Sequence, residues 1–134
     1  MGWNCMSTNK DLSKYRLEQA EQCLTAAKNN LSLGDYKTAA NRSYYCIFHC
    51  MRSVLALETT DFKHHSGVIS HFRERYIKTG YLDKQLSKII DLLFKVRTAS
   101  DYDDYYIISK ADTVKQIANA EYFFEQVKAY LSQR

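Results

Sequence analysis

Apolar and small residues recur at three- and four-residue steps through most of the chain, which is the spacing of one face of an α-helix. The pattern predicts a first helix from Asp11 to about Leu33 and a second from Tyr36 to Glu58. Gly34 is expected to end the first helix and Asp35 to cap the second, so the two should form an antiparallel hairpin. Three further helices are predicted: residues 64–79 closed by Gly80, residues 83–100, and a last helix from a capping-like Ser109 to Leu131.

This pattern predicts an all-α fold, an up-and-down antiparallel bundle of about five helices. The 134-residue chain has no proline and four glycines, too few turn formers for a many-stranded sandwich or barrel. Residues 1–10 are expected to form a flexible N-terminal segment, residues 11–134 one domain, and residues 59–63 a loop. The segment 20–44 also resembles a tetratricopeptide unit, but a solenoid needs about three stacked repeats and nothing else in the chain repeats.

Charge and composition set limits on the class of protein. Lys and Arg number 19 against 15 Asp and Glu, and this net charge of +4 is too small to demand nucleic acid and too balanced for a disordered tail. No stretch reaches the roughly 18 apolar residues of a membrane span, and the first residues lack the apolar core of a signal peptide. We therefore expect a cytoplasmic protein with no membrane contact, whose four cysteines are reduced thiols.

The second predicted helix carries an unusual face. Opposite its apolar sector lies a stripe of mostly small residues without Lys or Glu: Thr38, Arg42, Tyr45, Cys46, His49, Ser53 and Ala56. Small residues let another backbone approach closely. The stripe therefore predicts contact with the same helix of a second subunit across a two-fold axis.

Arg42 and His49 lie on this stripe, seven residues apart, which places them on one face about 10 Å apart along the helix axis. Such a pair suits phosphodiester chemistry, because His transfers protons near neutral pH and Arg grips phosphate oxygens. The alternative is structural: His49 hydrogen-bonded at an interface and Arg42 salt-bridged to a neighbouring helix. Cys46, His49 and Cys50 resemble zinc ligands superficially but lack the short knuckle spacing, so no metal is expected.

The fourth predicted helix carries a second polar pair on its apolar side. Arg97 and Asp101 fall in the same sector as Leu86 and Ile90. A buried pair is costly unless further hydrogen bonds satisfy it. Either Tyr102 and other tyrosines complete a structural network, or Asp101 holds Arg97 toward a site.

With these residues in view, the chain resembles the HEPN family, the higher eukaryote and prokaryote nucleotide-binding domains, over about residues 11–131. Three blocks carry the resemblance: Asn41-Arg42-Ser43-Tyr44-Tyr45-Cys46-Ile47-Phe48-His49, which is similar to the family's Arg-x(4–6)-His motif, then His65-Ser66-Gly67-Val68-Ile69 with Phe72, and Arg97-x-x-x-Asp101-Tyr102. The blocks stand in the family's order on a five-helix pattern.

The resemblance implies a helical bundle that forms a homodimer and cleaves RNA without metal or other cofactor, at a site shared between the subunits. His49 would then be the acid or base, and Arg42 would stabilise the phosphorane. The resemblance also implies a set of residues that orient or bind the RNA or nucleotide: Asn41, Tyr45, His65, Arg97, Asp101 and Tyr102. Many members pair with a minimal nucleotidyltransferase as toxin and antitoxin, so the alternative is a non-catalytic nucleotide-binding or interaction module that partners such an enzyme.

Overall fold

Five α-helices form one bundle in the computed structural model, which describes residues 8–58 and 62–134. They are α1 (Asn9–Ser32), α2 (Tyr36–Ala56), α3 (His65–Phe72), α4 (Gln85–Tyr102) and α5 (Lys110–Ser132). α2 packs against each of the other four, so it is the central helix. Across the described ranges, no helix combines the length and apolar character that a bilayer crossing requires. The all-α bundle predicted from the sequence is confirmed.

α1 begins two residues earlier than predicted, at Asn9. The side chain of Thr8 accepts a hydrogen bond from the backbone N–H of Asp11 at 3.0 Å, and the Asp11 carboxylate accepts from the Thr8 N–H at 3.3 Å. This reciprocal capping box satisfies two N–H groups that a helix start would otherwise leave unpaired. Helix thus extends into the predicted flexible segment 1–10, whose residues 1–7, Cys5 among them, lie outside the described residues.

The predicted link between α1 and α2 is confirmed. Gly34 adopts a φ of +78°, the left-handed conformation that glycine tolerates best. The Asp35 side chain then accepts from the backbone N–H of Thr38 at 3.2 Å and caps α2. Because α5 packs against both helices, the hairpin belongs to a single bundle and not to a solenoid of repeats.

The third predicted helix, residues 64–79, is divided in the structure. α3 ends at Phe72 and continues as a π-helical turn over Arg73–Ile77. There the backbone N–H of Lys78 donates to the carbonyl of Arg73 at 2.9 Å, five residues back. The wider turn buries the adjacent residues Tyr76 and Ile77 together. Gly80 follows with a φ of +85°, as predicted, and of the predicted loop 59–63 the residues 59–61 lie outside the described part.

The stripe on α2 was predicted to contact a second subunit. For its small residues this prediction is wrong. Cys46 and Ser53 are fully buried, and Ala56 is 2% exposed, within the single chain. Cys23 of α1 lies close enough for its thiol to be influenced electrostatically by Cys46. Small residues do allow close approach, but the helix that approaches is α1 of the same chain, which helical periodicity cannot distinguish from a second subunit.

Candidate active site

Half-buried polar residues follow one another along α2. We call this set the α2 polar stripe: Asn41, Arg42, Tyr45, His49 and Arg52. The members recur at three- and four-residue steps, so successive turns of one rigid helix present them together. The stripe retains the chemistry-bearing residues of the predicted surface after its small residues have been assigned to the core.

Arg42 and His49 line one cavity, of about 270 Å³, between α1 and α2. Their shared face is therefore confirmed, and the other residues that line the cavity belong to α1. The Nη2 of Arg42 donates to the side-chain oxygen of Asn41 at 2.8 Å, and its guanidinium carbon lies 5.1 Å from the centre of the Tyr45 ring. These two contacts hold the guanidinium against the stripe while its other N–H groups remain donors for an anion.

The surroundings of His49 favour the neutral imidazole. Burial lowers the pKa of His49, and the positive charges of Arg52, Arg42 and Arg16 lower it further, with His65 adding a smaller effect. The buried Nδ1 has no hydrogen-bond partner among residues 8–58 and 62–134. His49 is therefore an unprotonated base at neutral pH, beside cations that attract a phosphate.

His65 lies next to this stripe within an aromatic cluster. Its ring stacks on Phe48 with centroids 3.8 Å apart, and its Nδ1 is 2.9 Å from the hydroxyl of the fully buried Tyr44. Burial raises the pKa of Tyr44 to about 12, so the phenol stays protonated. Burial also lowers the pKa of His65, as do the charges of Arg97 and Arg52, so this second histidine is neutral as well.

Arg97 joins α4 to the aromatic cluster. Its Nε lies 3.1 Å from the Asp101 carboxylate, and its Nη2 donates to the Tyr45 hydroxyl at 3.4 Å. Its guanidinium carbon also lies 5.3 Å from the centre of the Tyr44 ring. Tyr44 and Tyr45 therefore complete a network around Arg97 and Asp101, as the structural alternative predicted, and the holding of Arg97 toward a site stays a prediction.

One of the two alternatives predicted that Tyr102 helps to complete this network. Tyr102 does not take part in it. It is 80% exposed at the end of α4. The contacts with Arg97 come instead from tyrosines of α2, which the sequence does not place beside Arg97. A second cavity, of about 320 Å³, includes Asn41, Arg42 and Asp101 in its lining. The candidate residues of α2 and α4 therefore share a continuous surface from which Tyr102 is displaced.

Two arginines at this site were not predicted. Arg52 lies three residues after His49, and extension of the Arg42–His49 periodicity by one turn would have found it. Arg16 of α1 is 8% exposed, and its Nη1 donates to the backbone carbonyl of Arg52 at 3.3 Å. No local pattern on α1 signals this role, because only the packing of α1 against α2 brings Arg16 near His49.

The cysteines of the described ranges are free thiols and two of them are core residues. Cys46 and Cys50 are fully buried, and burial raises the pKa of Cys50 well above its ordinary value. A protonated, buried thiol behaves as a small apolar side chain. Within residues 8–58 and 62–134, no group of three or more metal-binding side chains comes together.

The fold and the stripe define a class of protein, an all-α bundle whose central helix presents Arg and His beside neutral aromatic rings. The sequence profile of the HEPN domain matches residues 13–130, and the chain belongs to the HEPN family.

The relatives carry two kinds of name. A Methanocaldococcus jannaschii protein named "Putative toxin" is 32% identical over 122 residues, 91% of this chain and 82% of the relative. Another protein of that organism with the same description is 31% identical, covering 93% and 95% of the two chains. A Thermotoga maritima protein named "UPF0332 protein" is 28% identical over 92% of this chain and 93% of the relative. The chain is thus similar over nearly its whole length to toxin-like members of the family.

Proposed function

We propose that this protein is a toxin-like endoribonuclease that acts as a homodimer and cleaves RNA without a metal ion. The observation that carries the proposal is that Arg42 and His49 line one cavity while burial and neighbouring cations keep His49 unprotonated. A neutral imidazole beside a guanidinium is the pair that proton abstraction and phosphate binding together require. Family membership and the toxin names of its relatives support the same class of function.

In the proposed reaction, His49 accepts the proton of a ribose 2′-hydroxyl as the 2′-oxygen attacks the adjacent phosphorus. The bond from phosphorus to the 5′-oxygen breaks, and that oxygen takes up a proton from water, leaving a 2′,3′-cyclic phosphate and a 5′-hydroxyl end. Arg42 stabilises the negative charge that develops on the phosphorane oxygens. Asn41 and Tyr45, both in contact with Arg42, orient the guanidinium and the phosphate.

The test is incubation of the purified protein with RNA in the presence of EDTA. We expect cleavage that leaves 2′,3′-cyclic phosphate ends and that His49→Ala and Arg42→Ala each reduce by a factor of about 100 or more. His71→Ala is the matched control, because His71 faces Glu58 at 3.4 Å and is not part of the site. Equal cleavage by wild type and His49→Ala would contradict the proposal.

A second candidate function is non-catalytic binding of a nucleotide, in partnership with a minimal nucleotidyltransferase. The cations Arg16, Arg42 and Arg52 around His49 favour it, since they would attract phosphate groups whether or not His49 transfers a proton. This candidate predicts nucleotide binding without turnover and co-purification with the partner enzyme. Robust cleavage of RNA in EDTA would count against it.

A further inference from the structure

A groove of about 460 Å³ lies between α4 on one side and α3 with the π-helical turn on the other. Ile69, Ile90 and Phe94 give it apolar walls, and Ser66, Arg73 and Asp91 give it polar groups. Its volume lies within the range of roughly 300–1,000 Å³ that small-ligand sites occupy. A mostly apolar cleft with a few placed polar groups is the usual form of such a site.

The polar end of the groove offers both donors and acceptors. The Nη2 of Arg73 lies 2.5 Å from one oxygen of Asp91 and donates to the carbonyl of Ser87 at 2.9 Å. The Arg73 side chain lines the groove and is 29% exposed, so its guanidinium keeps further N–H donors there. The Asp91 side chain is 72% exposed, so its carboxylate keeps acceptor capacity beyond the ion pair.

The apolar end of the groove adjoins the aromatic cluster around Tyr44 and His65. Phe94 is 39% exposed, and its ring centre lies 6.1 Å from that of Tyr44, which contacts His65. Arg97 follows Phe94 by three residues, a step of about 5 Å along α4. On the other wall, Ser66 is the residue directly after His65. The groove is therefore connected through Phe94 and Ser66 to the aromatic cluster that contains Tyr44 and His65.

We propose that this groove binds a base of a single-stranded RNA whose backbone continues toward the α2 polar stripe. The base stacks on Phe94, and Arg73 and Asp91 hydrogen-bond its edge. Unpaired bases in RNA are recognised in this way, by aromatic stacking combined with hydrogen bonds to edges that carry both donors and acceptors. The proposal rests on the proposed function, because it assumes that the site takes an RNA strand.

The charges of the groove favour this ligand over a strongly charged one. Two basic side chains, Arg73 and Lys78, line it together with two acidic ones, Glu74 and Asp91. The charges balance, so an acidic or basic peptide has no net attraction to the groove. A neutral heteroaromatic ring with alternating donors and acceptors is the better complement.

The first test is a binding titration of the purified protein with fluorescent 2′-O-methyl hexanucleotides of A, C or U and one of alternating G and U. These probes lack the attacking hydroxyl, so binding is measured without cleavage. We expect Phe94→Ala and Phe94→Leu to weaken binding at least fivefold and up to about 100-fold, the usual loss when a stacked base loses its aromatic partner. Phe94→Trp should keep wild-type affinity, because it keeps an aromatic surface.

Two further variants provide a control and a test of base recognition. Leu92→Ala is the control, since Leu92 is 47% exposed on the same helix and does not line the groove. It should leave affinity unchanged. Asp91→Asn should alter the order of preference among the four probes, because it exchanges an acceptor for a donor at the base edge. Thermal unfolding of each variant checks that the bundle is intact.

Several outcomes would overturn the proposal. They are no binding of any probe, equal affinity of Phe94→Leu and wild type, or an unchanged base preference in Asp91→Asn. A change of oligomeric state in Phe94→Ala without a change in probe affinity would also overturn it, because the groove would then be an interface between copies of the chain. If RNA cleavage depends on His49 but not on Phe94, the proposed function holds and the base-binding proposal fails. If binding depends on Phe94 but no RNA is cleaved, only the proposed nuclease activity fails.

Discussion

At the scale of single residues, the charge state of His49 decides what the site can do. Three arginines from two helices and partial burial all disfavour the imidazolium, and they act in the same direction. The His49 imidazole therefore stays unprotonated, and able to act as a base, over a wider range of pH. The same cations would bind the phosphate next to the 2′-hydroxyl that loses its proton. Phosphate binding and proton abstraction therefore depend on one cluster of side chains.

The pH dependence of cleavage should report this cluster. Because the pKa of His49 is lowered from 6.5, the active unprotonated form persists to a pH below 6.5, and the acid limb of the rate profile should lie there. Arg52→Gln removes a positive neighbour and should move the limb to higher pH. Arg75→Gln, on the exposed side of the π-helical turn, should not move it. An acid limb that is the same in Arg52→Gln and wild type would contradict this account.

Tyr44→Phe should destabilise the fold through His65. The substitution removes the hydroxyl 2.9 Å from His65 Nδ1 and leaves that nitrogen without its partner, at a cost of about 1–2 kcal/mol in the free energy of unfolding. Urea denaturation measures this loss. Tyr81→Phe, at a residue 63% exposed, should change stability by less than about 0.5 kcal/mol. If the two variants are equally stable, the Tyr44–His65 contact contributes nothing to the fold.

At the scale of elements, the turn between α1 and α2 depends on one backbone conformation. Gly34 has a φ of +78° and no atom within 4 Å of the position a Cβ would take, so a side chain there meets no clash. Gly34→Ala should therefore lose about 1–2 kcal/mol of stability from backbone strain alone. Gly34→Asn should lose less, because asparagine visits this conformation more readily. Equal losses in the two variants, measured by chemical denaturation, would point to a cause other than φ.

The ends of the helices were largely predictable because short-range chemistry sets them. Asp35 and Ser109 each accept from the backbone N–H three residues ahead, and these caps can be recognised from sequence spacing. The π-helical turn at Arg73–Ile77 was not predictable in this way. In this wider turn Tyr76 and Ile77 are both buried. Their burial depends on packing against the surrounding helices and not on the local sequence.

At the scale of the whole molecule, the proposed homodimer makes a specific prediction about mixed subunits. Arg42 and His49 lie about 10 Å apart along α2, and an antiparallel second copy would bring Arg42 of one subunit to His49 of the other. Arg42→Ala and His49→Ala proteins, each inactive alone, should then regain activity when mixed and allowed to exchange subunits. Half of the dimers would be mixed and each would hold one intact site, so about a quarter of wild-type cleavage is expected.

The control is a mixture of wild type with the double variant Arg42→Ala, His49→Ala, which keeps intact pairs on a single chain. If the site lies within one chain, this mixture keeps about half of wild-type cleavage and the two single variants do not complement each other, whereas a shared site leaves this mixture about a quarter. Size-exclusion chromatography with light scattering checks that the proteins form dimers. Monomers that cleave RNA as well as any dimer would contradict the shared site.

The helices, most of their ends and the residues with reactive chemistry can be read from the sequence, because periodicity, caps and the Arg42–His49 spacing are local properties of the chain. What those residues face depends on how the helices pack in the fold. This packing buried Cys46, Ser53 and Ala56 inside the chain, brought Arg16 near His49, and closed the Arg97 network with Tyr45 in place of Tyr102. The physical reason is that a helix sequence specifies which side chains share a face, whereas packing between helices chooses the neighbour that covers it.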